Sequence, residues 1–246
     1  MVGRNSNNPI MRQLPKRFYS SVLSEERNIG WCILLDGKPV RTPRKQIIGL
    51  TSEALVKEIA REWEAQVDFI DASTMPITCI VNTGIDYVNK ALDEVKDEIV
   101  KFANNDLLCY RVDNPRELTK LQNKFWNNPL DWLSNEHSVS LQITTGIMPM
   151  FQPISELNKF RNLLHDLHEL ELAALQVAVT LTGSAVLGYA VFTGVISSEA
   201  AWAAAHVDED WQIAQWGEDS EAKLRRKFRW NEFRAATKIM MHLKEK

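Results

Sequence analysis

Apolar and polar positions alternate on two different periods along this chain. The first clear element is Trp31-Cys32-Ile33-Leu34-Leu35, then Asp36-Gly37, then Lys38-Pro39-Val40-Arg41-Thr42. Asp-Gly supplies the two positive-φ positions of a type I′ turn, so the flanking segments are expected to pair as a hairpin. Pro39 has no N–H for a ladder, which puts the second strand at an edge. Ile47–Leu50 is a third strand candidate and Phe18–Val22 a fourth. Thr51 then reads as a helix cap, followed by Leu55, Ile59 and Trp63 at four-residue spacing, a helix ending near Gln66. Met75-Pro76 interrupts the next stretch, because proline disfavours helix in the residue before it. Beyond about residue 85 the period becomes helical. Val88, Leu92, Val95, Ile99 and Phe102 mark one helix. Asn114-Pro115-Arg116-Glu117 opens another that continues through Leu118, Leu121 and Phe125. Ser155 opens a third through Leu157, Phe160, Leu164 and Leu167. Val139–Ile143 alternates briefly and receives no assignment.

Leu172–Ser198 contains no charged residue. A helix apolar on every side must be enclosed by other helices, so the segment predicts an all-helical unit built around one buried helix. Its length would also allow a membrane span. Against that stand the flanking Glu169, Glu171 and Glu199, the absence of a nearby Lys or Arg, and the interior Gln176, Thr180, Thr182, Ser184 and Thr193. Gly194 is expected to end this helix and Ser197 or Ser198 to cap the next, which runs to Trp216 and is stopped by Gly217. A last helix spans about Ser220 to Leu243. The expected fold class is α+β: a small antiparallel sheet with a helix in residues 1–88, then a helical domain in residues 89–246.

The 246 residues are 45% hydrophobic and 25% charged, a globular mixture that excludes wholesale disorder. A net charge of −3 gives no global footprint for nucleic acid. Cys32, Cys79 and Cys109 are odd in number and lack metal-ligand spacing, so neither a disulfide scaffold nor a zinc site is expected, and all three read as small buried apolar residues. The first 24 residues carry Arg4, Arg12, Lys16 and Arg17 and no acid, but no secretory apolar stretch. They resemble a weak transit peptide in charge only, and a disordered start is expected.

No phosphate-cradling, dinucleotide, nucleophile-elbow or HExxH motif occurs. Thr182-Gly183-Ser184-Ala185 lies inside the apolar segment, where Gly and Ser favour close packing over nucleophilic chemistry. His165 and His168 read as surface or boundary residues. His206 shares a helix face with Glu209 and Asp210, but no second histidine is near, so no metal site is assigned. From His206 to Ala222 the chain holds six acids and no base; Lys223, Arg225, Arg226, Lys227 and Arg229 follow. Acids early in a helix suit its positive end, and pairs such as Glu221–Arg225 account for part of the pattern. They leave Trp211 and Trp216 beside the acids unexplained. Large aromatics rimmed by charge are the composition of a protein-binding hot spot.

Segments along nearly the whole chain resemble the chaperone family that assembles the F1 head of ATP synthase, in the branch that binds the α subunit. They are Lys16-Arg17-Phe18-Tyr19, the hairpin Leu35–Pro43, Glu62-Trp63-Glu64-Ala65-Gln66 with Met75-Pro76, Asp106-Leu107-Leu108-Cys109-Tyr110-Arg111, Pro129-Leu130-Asp131-Trp132, Leu181-Thr182-Gly183-Ser184, and Asp208-Glu209-Asp210-Trp211-Gln212 with Trp216-Gly217. The resemblance implies a β-containing N-terminal domain and a helical C-terminal one. It implies no catalysis, no cofactor and no metal. It implies a chaperone that holds the F1 α subunit until β subunits replace it, in the bacterial cytoplasm, or in the mitochondrial matrix of a eukaryote; a monomer is expected. The family's important acid falls on Asp208–Gln212, with Glu209 the best match, so the partner-binding set is Asp208, Glu209, Asp210, Trp211, Gln212 and Trp216. The competing expectations are an enzyme with an unrecognised active site in the helical domain, favoured if His206 is grouped with acids from another helix, and a membrane or nucleic-acid adaptor using the basic N-terminal arm.

Overall fold

A computed structural model describes residues 14–146, 148 and 150–244. Arg4 and Arg12 of the basic arm lie outside them. The N-terminal sheet is antiparallel: β1 (Val22–Arg27), β2 (Gly30–Leu35), β3 (Lys38–Pro39) and β4 (Gly49–Leu50). β2 is central. β1 pairs along its full length on one side, with Val22 opposite Leu35, and β3 and β4 pair on the other. Asp36 and Gly37 both have positive φ (47° and 78°), the I′ signature, and Pro39 stands on the edge as expected. Of the Phe18–Val22 candidate, only Val22 is in a strand, as the first residue of β1. The Asp36 carboxylate captures the N–H and hydroxyl groups of Ser20 and Ser21, which turns the chain there. Those bonds lower the Asp36 pKa to about 2. α1 (Glu53–Glu64) buries Leu55, Val56 and Ile59 on the sheet. Its cap is Ser52, one residue beyond Thr51, whose hydroxyl accepts the Leu55 N–H at 3.2 Å.

The helical part comprises α2 (Pro76–Asp86), α3 (Leu92–Asn104), α4 (Arg116–His137), α5 (Ile154–Leu163), α6 (Glu169–Thr182), α7 (Ala185–Thr193), α8 (Ser198–Ala205), α9 (Val207–Trp216) and α10 (Ser220–Lys244). A two-residue parallel pair, β5 (Tyr110–Arg111) with β6 (Thr144–Thr145), closes one end. α4 begins after Pro115, which occupies the cap position expected of Asn114. α5 starts at Ile154 and stops at Leu163, short of Leu167.

The single apolar helix is two. Gly183 takes a left-handed conformation (φ 67°) and ends α6; the Ser184 hydroxyl then accepts the Leu187 N–H at 3.0 Å and starts α7. Gly183 and Ser184 therefore make a helix break. α6 and α7 are nonetheless enclosed, as expected of a helix without a polar face: α2, α3, α8 and α10 pack on α6, and α3, α4, α8 and α10 on α7. Among the described residues no helix is long and apolar enough to cross a membrane. The close approach falls five residues later. A Cβ built at Gly188 would stand 2.5 Å from Val179 Cγ2. Gly188→Ala is therefore expected to destabilise by about 1–3 kcal/mol through overpacking, even though alanine favours helix. Chemical denaturation measures it; a stabilised variant would show that the α6–α7 contact is looser than drawn.

Cys32 and Cys109 are fully buried, but Cys79 is only half-buried.

Candidate functional site

The helix expected to run from Ser198 to Trp216 breaks at His206. The residue adopts φ −116°, ψ 19°, and α9 restarts at Val207 with Asp208, Glu209 and Asp210 in its first turn, where the helix dipole favours acids. His206 is buried against the Trp202 ring, 4.0 Å between centroids, and its Nδ1–H donates to the Trp202 carbonyl at 2.8 Å. Burial lowers its pKa and so favours the neutral imidazole, and the bond to the carbonyl assigns a proton to Nδ1. The acid nearest Nε2 is Glu209 of α9 itself, at 3.9 Å. The charges facing His206 from the packed α10 are Arg226 and Arg229. Among the described residues no group of three His, Cys, Asp or Glu side chains could hold a metal.

The six expected contact residues separate into two sets. Asp208 turns inward, accepting Nε2–H of the buried Gln122 at 2.8 Å, while Gln122 Oε1 accepts the Val112 N–H at 3.0 Å. Asp210 pairs with Arg226 of α10 at 2.5 Å. Trp211 packs half-buried on the core. These three position α9. Glu209, Gln212 and Trp216 instead share the wall of an open hollow of about 300 Å³, completed by Ile213 and, across the corner into α10, by Glu218, Asp219, Ala222 and Lys223. Trp216 is 74% exposed, with its ring edge-on to Trp211 at 5.7 Å. Lys223 is paired with Glu218 at 2.8 Å, so the rim keeps an acidic excess from Glu209 and Asp219. Ile213 stands four residues after Glu209 on the same face of α9, so helical spacing could have found it; the α10 residues were missed because the corner at Gly217 brings them in, which periodicity within α9 cannot show. The Glu221–Arg225 pair forms at 2.9 Å.

The other segments that carry the resemblance fall against one another. Arg17 and Tyr19 bond the Gln66 and Trp63 carbonyls. Glu62 accepts the N–H groups of Ile77 and Thr78 just after Pro76, at 2.8 and 2.7 Å, and so caps α2. Asp106 lies fully buried at the Gly183 break. Its carboxylate takes the Leu108 and Val186 N–H groups, each at 3.0 Å, and the Leu107 N–H meets the Gly183 carbonyl. Burial raises its pKa to about 6 against those bonds. Arg111 donates to the Leu108 carbonyl and to Asn123, with its guanidinium 5.0 Å from the Trp126 ring. Trp126 Nε1–H donates to the Ala204 carbonyl at the end of α8, at 2.7 Å. A continuous set of buried polar contacts thus runs from the α6–α7 break to the first turn of α9.

The sequence profile of the ATP12 chaperone protein family matches residues 16–134. Schizosaccharomyces pombe mitochondrial protein atp12 is 24% identical over 229 residues, covering 88% of this chain and 79% of that protein. The crystal structure of Atp12 from Paracoccus denitrificans superposes with a TM-score of 0.85 at 36% identity, over 93% of this chain and 98% of the other. A structure from Agrobacterium tumefaciens gives 0.89 at 38% identity, over 98% and 93%. Fold and relatives define a chaperone, not an enzyme. The chain belongs to the ATP12 chaperone family, and it is an ATP synthase assembly chaperone.

Proposed function

We propose that the client is the unassembled F1 α subunit, held by the corner between α9 and α10 until β subunits replace the chaperone. An unassembled subunit exposes apolar surface intended for its neighbours, and such surface aggregates. The observation that carries the site is Trp216, a large aromatic left outside the core over a hollow with an acidic rim. An aromatic anchor supplies affinity, and a charged rim governs encounter and choice. Glu209, Gln212 and Trp216 make the contact; Asp208, Asp210 and Trp211 hold α9 in place. The chaperone acts as a monomer, in the bacterial cytoplasm or, in a eukaryote, the mitochondrial matrix. The division at residue 88 is proposed likewise; α2, on its N-terminal side, packs on α6 and α10.

Co-expression with a cognate α subunit tests this reading: α stays in the supernatant and co-purifies. Trp216→Ala is expected to weaken capture by about 10- to 100-fold, with unfolding free energy unchanged within about 0.5 kcal/mol because the side chain is exposed. Glu209→Lys abolishes capture and leaves circular dichroism unchanged. It lowers stability by about 0.3–1 kcal/mol by reversing a charge in the first turn of α9. Undiminished capture by both variants refutes the site.

A further inference from the structure

A second surface lies on the stretch from Ile143, just before β6, to Ile154, the first residue of α5. No charged residue occurs from Ser138 through Ser155. Three of its apolar side chains stand almost free in solvent: Met148 at 73%, Phe151 at 78% and Ile154 at 76% exposure, with Ile143 about half-exposed. Solvated loops ordinarily carry polar residues, and clustered apolar exposure marks an interaction surface.

The stem beneath these side chains is tightly tied. Gln152 is buried and forms a two-way amide pair with the backbone of Gln142: its Oε1 accepts the Gln142 N–H at 2.7 Å and its Nε2 donates to the Gln142 carbonyl at 2.9 Å. The Gln152 N–H donates to Asn104 of α3 at 3.0 Å, and the Gly146 N–H to the Arg111 carbonyl at 3.0 Å. Phe151 is thus presented beside a fixed neighbour, and a preorganised contact loses less conformational entropy on binding. The stem is also continuous with the α9 mount, because β5 pairs with β6, and Val112, next after β5, is bonded to Gln122, which holds Asp208.

We infer that Phe151 and Ile154, with Met148 and Ile143, form a second client contact, an uncharged one, that covers apolar surface of the same F1 α subunit engaged at the α9–α10 corner. This rests on the reading in the preceding subsection. The occupant follows from three observations: the chain is a chaperone, the patch offers no charge to pair, and its stem joins the mount of the acidic corner. Methionine suits such a surface because its flexible, polarisable side chain adapts to irregular apolar partners. The two contacts divide the work: the acidic corner gives a salt-sensitive contact, the apolar patch a salt-insensitive one.

The experiment uses the full chain with the double substitution Phe151→Ser and Ile154→Ser, both at exposed positions. Capture of the F1 α subunit is read at low and high salt, with suppression of light scattering by diluted, denatured α. Wild-type capture is the control on which the preceding reading depends: if wild type captures no α, that reading has failed. With wild type binding, the double variant is expected to lose at least about tenfold in capture, with an unchanged melting curve and an unchanged ratio of low-salt to high-salt binding. A photo-crosslinking amino acid at position 151 is expected to form an adduct with α. Full capture by the double variant together with no adduct overturns the inference. So does a concentration-dependent dimer of the wild-type chain that the double variant lacks, which would assign the patch to a second copy. So does flotation of the wild-type chain with liposomes that the double variant abolishes, which would assign it to a lipid surface.

Discussion

Asp106→Ala should lower the unfolding free energy by about 3–5 kcal/mol. The carboxylate accepts the Val186 N–H at the start of α7 and the Leu108 N–H in the following turn, both buried. Alanine leaves those donors without partners and opens a void, each orphaned group contributing about 1–3 kcal/mol. In a chain of this length that corresponds to roughly 10 °C in melting temperature. Asp106→Asn retains shape and one acceptor oxygen, so its loss is smaller. The pH dependence has a definite sign. Burial holds the Asp106 pKa at about 6 in the folded chain, above its ordinary value. A carboxyl whose folded pKa is raised contributes stability that is fully present below the unfolded pKa and lost as pH rises through the folded one. Relative to Asp106→Asn, the wild-type chain should therefore gain stability as pH falls from about 6 to about 4. Denaturant titrations at a series of pH values measure it. A wild-type advantage that shrinks over that window would mean that the hydrogen bonds outweigh burial.

Trp126→Ala is expected to have a comparable effect, about 3–5 kcal/mol, for a different reason. The indole is fully buried, lies against the Arg111 guanidinium and donates to the Ala204 carbonyl where α8 ends. Truncation removes a large apolar volume, exposes the buried Arg111 charge to a void and frees the Ala204 carbonyl near the end of α8. Trp126→Phe retains most of the ring and loses the hydrogen bond, so about 1–3 kcal/mol is expected. Its value is diagnostic: α9 follows α8 directly, so a loosened α8 end should also weaken capture of the proposed α-subunit client, although Trp126 itself is fully buried. If Trp126→Phe captures α at the wild-type level while losing stability, the indole supports the core and not the site.

Particular elements show which parts of this architecture were legible in the sequence. The Asp36-Gly37 hairpin was, because a two-residue turn is a local event decided by backbone sterics. The α1 face was, because Leu55 and Ile59 repeat on the helical period. β1 was not. Its Ser24-Glu25-Glu26-Arg27 sequence has no strand pattern, since an exposed edge needs only backbone pairing with β2. The breaks at Gly183 and His206 were also hidden. Apolar composition continues across Gly183 and helix-forming residues continue across His206, and the chain turns there because Asp106 and Trp126, far away in sequence, bind the helix ends. The candidate site divides in the same way. A cluster of acids and tryptophans could be read directly. Which acids are tied to neighbouring helices could not, since Gln122 and Arg226 decide that from α4 and α10.

Sequence by itself determined the class of fold, the enclosed apolar centre and, through segments scattered along the chain, the family. These are properties of period, composition and short-range backbone chemistry, which operate within a turn or two of chain. Tertiary structure alone decided where helices break, which of the six residues on α9 are tied down by other helices, and that an uncharged stretch running into the start of α5 presents Phe151 and Ile154 outward. The physical reason is that each depends on a hydrogen bond or a packing partner supplied from an element distant along the chain.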